Sequence, residues 1–228
     1  MLPSKITSST SNLSHDKQTI APPGLQLRVD GKNRARAFCN GMKAVVSMGG
    51  FFEFYELSLP GSRKRIYSGP WKGTLRDKLS GTNVISGNDP ASGVVYSLRL
   101  HQSDPSTIEV SMSYKAPTRI SNLSFEILKL SGDLFKGASL AAEPAEFRDA
   151  GIIPPDPLPM DKHILLTNKN RVIVKGALCD LEIKNLMDDG NILMADFRNI
   201  PWDPFKSILL SSEKKLLYPG STYSLKYS

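Results

Sequence analysis

From Gly93 to Leu130 apolar and polar residues alternate almost without a break, and this constrains the fold more than any other stretch. Val94, Tyr96, Leu98 and Leu100 fall on one side, with Ser97 and Arg99 opposite. After Asp104-Pro105, Ile108, Val110, Met112 and Tyr114 alternate with Glu109, Ser111 and Ser113. A period of two puts each set on one side of a pleated strand, the pattern of an antiparallel sheet with one buried face.

Shorter strand signals flank this stretch. Before it they lie at 25–30, 42–48, 51–59, 63–67, 71–78 and 82–86; a further strand signal at 119–130 closes it, and after it they lie at 163–167, 171–176, 179–186, 192–198, 205–212 and 221–228. Gly, Pro, Asn and Asp clusters separate them. Gly49-Gly50 reads as a two-residue hairpin link between 42–48 and 51–59. Residues 132–161 differ: Pro144, Pro154, Pro155, Pro157 and Pro159 exclude a central strand, and only 138–150 could hold a helical turn. We therefore expect an all-β chain: a large antiparallel β-sandwich of the supersandwich kind, with at most one short helix. Residues 23–228 would form a single domain containing a proline-rich connection at about 132–161. The Ser/Thr-rich segment 1–22 would be disordered or loosely attached.

A chain of 228 residues suits one large β domain, able to bury a core without disulfides or metal. The two cysteines, Cys39 and Cys179, stand 140 positions apart in apolar surroundings and read as buried thiols. No apolar run is long enough for a membrane helix, and residues 1–18 show no apolar signal-peptide core. That leaves open an intracellular protein, one whose leader has been removed, or a piece of a longer chain. The net charge of +7 is unevenly spread: residues 1–80 hold 13 Lys/Arg against 5 Asp/Glu, whereas 81–228 hold 16 against 17. The basic clusters are Arg28/Lys32/Arg34/Arg36, Arg63/Lys64/Arg65 and Lys72/Arg76/Lys78. They suit an anionic partner, or strand edges guarded against pairing.

Motifs for catalysis are missing. His15, His101 and His163 have no metal-ligand spacing, and no nucleophile elbow, phosphate loop or dinucleotide fingerprint occurs. No cofactor or metal is expected. The carboxylate pairs Glu53/Glu56, Asp188/Asp189 and Glu143/Glu146 sit where strands, turns and the proline-rich connection explain them. Aromatics are the better binding candidates. Trp71 follows Gly69-Pro70, and Trp202 lies between Pro201 and Pro204, so each is held by proline in a loop. Flat rings stack on sugars and nucleobases, and Lys72, Arg76 and Arg198 nearby could bind hydroxyls or anionic groups.

Three segments carry a resemblance. IEVSMSYKAPTRISNLSFEILKLSGDLFKGASL (108–140) looks like a strand pair ending in a Gly-containing segment. HILLTNKNRVIVKGALCDLEIKNL (163–186) is similar to the paired strands after a crossing loop. ILMADFRNIPWDPFKSILLSSEKKLLYPGSTYSLKYS (192–228) resembles a closing Asp-x-Arg strand, loop, apolar strand, Pro-Gly and final alternating strand. Together they resemble the galactose-mutarotase-like supersandwich domains of bacterial carbohydrate-active proteins. In that family's true epimerases a His pair and a Glu transfer the protons; the three histidines here do not match that arrangement. The resemblance therefore implies an accessory, non-catalytic module with a polysaccharide or oligosaccharide partner, an anionic one given the basic first third. A glycan-acting enzyme (epimerase- or hydrolase-like) is the second reading. A nucleic-acid-binding or structural protein is the third.

Overall fold

The computed structural model describes residues 24–49, 52–59, 62–68, 74–79, 82–88, 93–115, 119–147, 149–187 and 191–228. In chain order the strands are β1 (Leu25–Val29), β2 (Ala35–Cys39), β3 (Met42–Met48), β4 (Phe52–Leu59), β5 (Ser62–Ser68), β6 (Thr74–Leu79), β7 (Thr82–Asn88), β8 (Val95–Asp104), β9 (Thr107–Lys115) and β10 (Ile120–Ser131). After helix α1 (Gly132–Phe135) come β11 (Ser139–Glu143), β12 (Ile164–Lys169), β13 (Arg171–Lys175), β14 (Asp180–Lys184), β15 (Ile192–Asp196), β16 (Ser207–Leu217) and β17 (Thr222–Tyr227).

These strands form three antiparallel sheets. The large sheet runs β1-β2-β3-β10-β16-β15-β12, with β4 also on β10 and β5 on β4. The second runs β17-β9-β8-β7-β6, and a small third sheet runs β11-β13-β14. The first two stack face to face. Tyr96, Leu98 and Leu100 of β8, and Ile108, Val110, Met112 and Tyr114 of β9, are all buried, as their alternation predicts. Phe125 of the large sheet meets them, its ring 5.7 Å from that of Tyr114 and 6.2 Å from that of Tyr223. The architecture is the expected all-β sandwich, and the single short helix of the described residues is α1.

Four local readings need correction. Residues 42–48 and 52–59 do not form a hairpin. β3 pairs with β10 through Met48↔Leu128, and β4 pairs with the same strand further along through Phe52↔Phe125, so the chain continues in one direction. Gly49, at φ 59°, makes the kink while its N–H donates to the Ile127 carbonyl at 3.0 Å. Glycine here permits a left-handed residue inside a long interrupted strand. The helical turn expected in 138–150 is instead strand β11, and the helix lies earlier, capped by the Ser131 hydroxyl. β2 was not anticipated, because Ala35 and Ala37 are small inward residues that give a weak periodic signal. Finally, Cys39 and Cys179 are not thiols: they form a disulfide with a Cα–Cα distance of 6.2 Å. It ties the end of β2 to the segment before β14, a proximity that a sequence separation of 140 conceals.

The proline-rich connection is fixed by two buried ionic anchors. Prolines donate no N–H, but their carbonyls still need partners. Arg198 supplies them, donating to the carbonyls of Pro154 (2.7 Å), Pro155 (3.0 Å) and Asp156 (3.1 Å), while its other bonds go to Asp196. Asp196 also accepts the Leu158 N–H at 3.0 Å. Upstream, the Lys169 ammonium is fully buried and reaches the Pro144 carbonyl, Glu146 and Asp149 at 2.9, 3.1 and 2.9 Å.

Candidate functional site

Strand register sorts the side chains of the large sheet onto two faces. Residues directly opposite on neighbouring strands share a face. The inner face, toward the second sheet, holds Leu25, Leu27, Ala35, Ala37, Phe125, Leu128, Leu210 and Met194. The outer face is different. On β1 and β2 it carries Gln26 opposite Phe38 and Arg28 opposite Arg36, and Phe38 in turn faces Lys43 of β3. The Arg28 guanidinium lies 4.4 Å from the centre of the Phe38 ring, a cation–π contact. Arg34 and Arg36 share Asp30 at 2.7 and 3.7 Å, which leaves this edge clearly cationic.

Farther in, the same face turns polar and buried. Ser47 stands opposite Lys129, and Glu126 opposite Ser211. The Ser47 hydroxyl donates to Glu126, which is only 1% exposed. The Lys129 ammonium sits 2.9 Å from Asp203 and 4.0 Å from Glu126, so one cation serves two buried carboxylates. Asp203 also accepts the Ser207 N–H (2.9 Å) and hydroxyl (2.7 Å). Burial pushes the Asp203 carboxyl up, but the Ser207 and Lys129 bonds outweigh it and hold the group below the ordinary aspartate value.

Asp203 belongs to the loop between β15 and β16, and this loop closes over Lys129. The Phe205 ring centre lies 5.6 Å from the Lys129 ammonium. One residue before Asp203, Trp202 is 70% exposed. Lys206 ends the loop at φ 48°, a left-handed conformation uncommon for lysine. Loop strain of this kind concentrates at ligand sites. The outer face can therefore offer a cationic edge and the exposed Trp202 ring, while Glu126, Lys129, Asp203 and Ser207 between them are buried and bonded to one another and hold the loop in place.

Of the residues singled out from sequence, Trp202 is exposed as expected and adjoins this cluster. Arg198 is in the same loop region but buried, its guanidinium spent on Asp196 and three carbonyls, so it positions the loop's base. Arg76 falls on β6, at the register shift between Leu75 and Asp77. Trp71 and Lys72 lie outside the described residues. Among the described residues the histidines do not gather: His101 of β8 bonds Thr82 at 2.8 Å, and His163, before β12, bonds the Met160 carbonyl. No group of three or more His, Cys, Asp or Glu among the described residues could hold a metal ion. Sequence reading passed over Glu126 and Lys129, although a Glu and a Lys inside the apolar run FEILKL (125–130) are the signal that this strand is covered on both faces.

No protein-family model matches the chain, and no curated protein matches it in sequence. Among solved structures, the chain is similar to one described as a "putative aldose 1-epimerase" from Escherichia coli K12. The TM-score is 0.54 at 9% identity, over 90% of this chain and 98% of that one. At such identity the likeness concerns architecture alone. The chain has the galactose-mutarotase-like β-sandwich fold.

Proposed function

We propose that this protein is a non-catalytic carbohydrate-binding module that holds an anionic polysaccharide along the outer face of its large sheet. The observation that carries the reading is the shared face itself: Arg28, Arg36, Phe38 and Lys43 stand in register on the side that continues into Ser47, Lys129 and Glu126. Arginines bind carboxylate or sulfate groups in bidentate fashion. Phe38 and Trp202 give sugar rings flat apolar surfaces. The fold, shared with a protein described as an epimerase of sugars, supports a glycan partner.

Retardation in native gels containing polygalacturonate tests this. The wild type should be retarded and an Arg28→Ala/Arg36→Ala variant much less so, with Trp202→Ala weakening the effect further. Equal migration with and without acidic or neutral glycans would defeat the reading. Both polyanions lose affinity as salt rises, so tighter retention by duplex DNA than by polygalacturonate at the same salt would favour nucleic-acid binding instead.

A second reading, a glycan-acting enzyme, is favoured by one observation. Glu126 is a buried carboxylate with a second one, on Asp203, across Lys129. Two carboxylates flanking a bond are what glycoside hydrolysis requires. Lys129 fills the space between them, which favours binding over turnover. Release of reducing sugar that is lost in Glu126→Gln would reverse that preference.

A further inference from the structure

A sheet edge with unpaired backbone groups invites another strand, and this chain covers most of its own edges. At β1 the Leu25 N–H donates to the Pro105 carbonyl at 2.6 Å, and the Leu27 N–H to the Gln102 side-chain oxygen at 3.0 Å. The Gln102 amide donates back to the Leu25 carbonyl at 2.6 Å. At β12 the Leu165 carbonyl accepts the Ala150 N–H at 3.2 Å, and at β11 the Leu140 N–H donates to the Gly151 carbonyl at 2.9 Å. The proline-rich connection thus bonds to both strands. β14 and β17 cover each other: the Lys184 N–H donates to the Ser228 carbonyl at 2.9 Å, and the Ser228 N–H returns a bond of 3.0 Å.

Two edges remain. Among the described residues β5 pairs only with β4, and β6 only with β7. The β6 ladder is broken by a register shift between Leu75 and Asp77, and its sequence TLRDKL mixes both signs of charge. β5 differs. Its pairing with β4 runs without a shift from Arg63↔Leu57 to Ser68↔Phe52. Its sequence SRKRIYS holds Arg63, Lys64 and Arg65, with no acidic residue and no proline. β5 stands to β4 as β2 stands to β3, but β2 is followed by β1, whereas no described strand follows β5.

A regular edge of this kind can bond an incoming strand along its main chain, and charge decides which strand. A second copy meeting β5 with β5 would set three cations against three, which is repulsive. An acidic strand would meet opposite charge instead. We propose that the open edge of β5 receives an extended acidic segment of a partner protein as an added strand. The site is separate from the glycan face, which lies on β1 to β3, whereas β5 extends the sheet from β4.

The probe is a fluorescein-labelled heptapeptide alternating glutamate and valine, titrated with the full chain and read by fluorescence polarisation. Saturable binding of one peptide per chain is expected. Two control peptides should bind roughly tenfold more weakly or worse: one with lysine in place of glutamate, and the acidic one methylated on every backbone nitrogen. The methylated peptide keeps the charge and loses the main-chain donors, so equal binding by it would reduce the contact to attraction of any polyanion and overturn the proposal. At saturation, hydrogen exchange should show every second amide of Ser62–Ser68 gaining protection. Arg63→Glu/Arg65→Glu should lower affinity by roughly tenfold. The peptide and exchange measurements use the unaltered chain, so they decide the matter even if that variant fails to fold. No saturable binding, equal binding of the lysine peptide, or protection confined to other strands would each overturn the proposal. So would a peptide-free dimer, seen by sedimentation, that protects the same amides.

Discussion

The two large sheets solve the same problem differently. In the five-stranded sheet, β9 alternates buried and part-exposed residues along its length, so one face is core and the other meets solvent. The outward residues there are Glu109, Ser111 and Ser113, and none is buried. In the large sheet, Phe125 to Leu130 of β10 and Ser207 to Ser212 of β16 are buried without interruption, although Glu126, Lys129, Ser207 and Ser211 are among them. A polar group taken from water must be bonded, and a charge must be paired, or it costs several kcal/mol. The Lys129–Asp203–Ser207 and Ser47–Glu126 contacts meet that demand. The difference teaches where specificity sits in this sandwich. The five-stranded sheet supplies packing, and the large sheet holds pre-ordered polar chemistry.

The sharpest way to break this contrast is to remove a charge from each outer face. Lys129→Met leaves Glu126 and Asp203 buried without their cation and should cost about 3–5 kcal/mol by urea unfolding. Arg99→Ala, on the exposed side of β8, should stay within about 0.5 kcal/mol. Adding Asp203→Asn to Lys129→Met should restore part of the loss. Equal costs for Lys129→Met and Arg99→Ala would erase the distinction.

A second comparison separates two residues four apart. Arg198→Ala strands the fully buried Asp196 and three carbonyls, and should destabilise by about 3 kcal/mol. Trp202→Ala should leave stability within about 0.5 kcal/mol. Its effect should appear in glycan affinity, with a loss of roughly tenfold.

Acid should act on the large sheet first. Burial pushes the Asp196 and Asp203 carboxyls up, but hydrogen bonds from Arg198 and Leu158, and from Ser207 and Lys129, hold both below the ordinary value. Such groups add stability above their unfolded value of about 3.9, and that stability is lost as pH falls through the lower folded values. Unfolding free energy should therefore decline below about pH 4, and less steeply in Asp196→Asn/Asp203→Asn. Lys169 behaves oppositely. Burial lowers its pKa, yet the bonds its ammonium donates to Asp149 and Glu146 raise it overall, so its contribution is present below about pH 10.4 and fades as pH rises through the folded value. A pH-stability curve measured by chemical denaturation checks both slopes. The smallest expected effect is that of Lys206→Gly. It relieves the left-handed residue at the end of the loop and should raise stability by no more than about 1 kcal/mol.

Legibility in the sequence follows the same division. β8, β9 and β17 were readable because one face meets solvent and the period of two is clean. β3 and β10 were harder: bulges break the register at Lys129/Leu130 and Glu126/Leu128, so alternation slips by one residue. Gly49-Gly50 carries turn chemistry, but its outcome was set by β10, which both neighbouring strands share. Trp202 was legible as an exposed loop ring because prolines flank it. Arg198 was legible only as a cation, since the carbonyls it serves lie more than 40 residues away. The disulfide depends on a contact that no local pattern encodes.

The central claim is that a glycan lies on the outer face of the large sheet. Backbone amide chemical shifts, followed by NMR as short polygalacturonate oligomers are added, test it directly. Perturbations at Arg28, Arg36, Phe38 and Lys43 and across Trp202 to Lys206, with Ser97, Arg99, Ser111 and Ser113 unmoved, are the predicted result. Shifts confined to the five-stranded sheet, or to none of these residues at saturating oligomer, would contradict it.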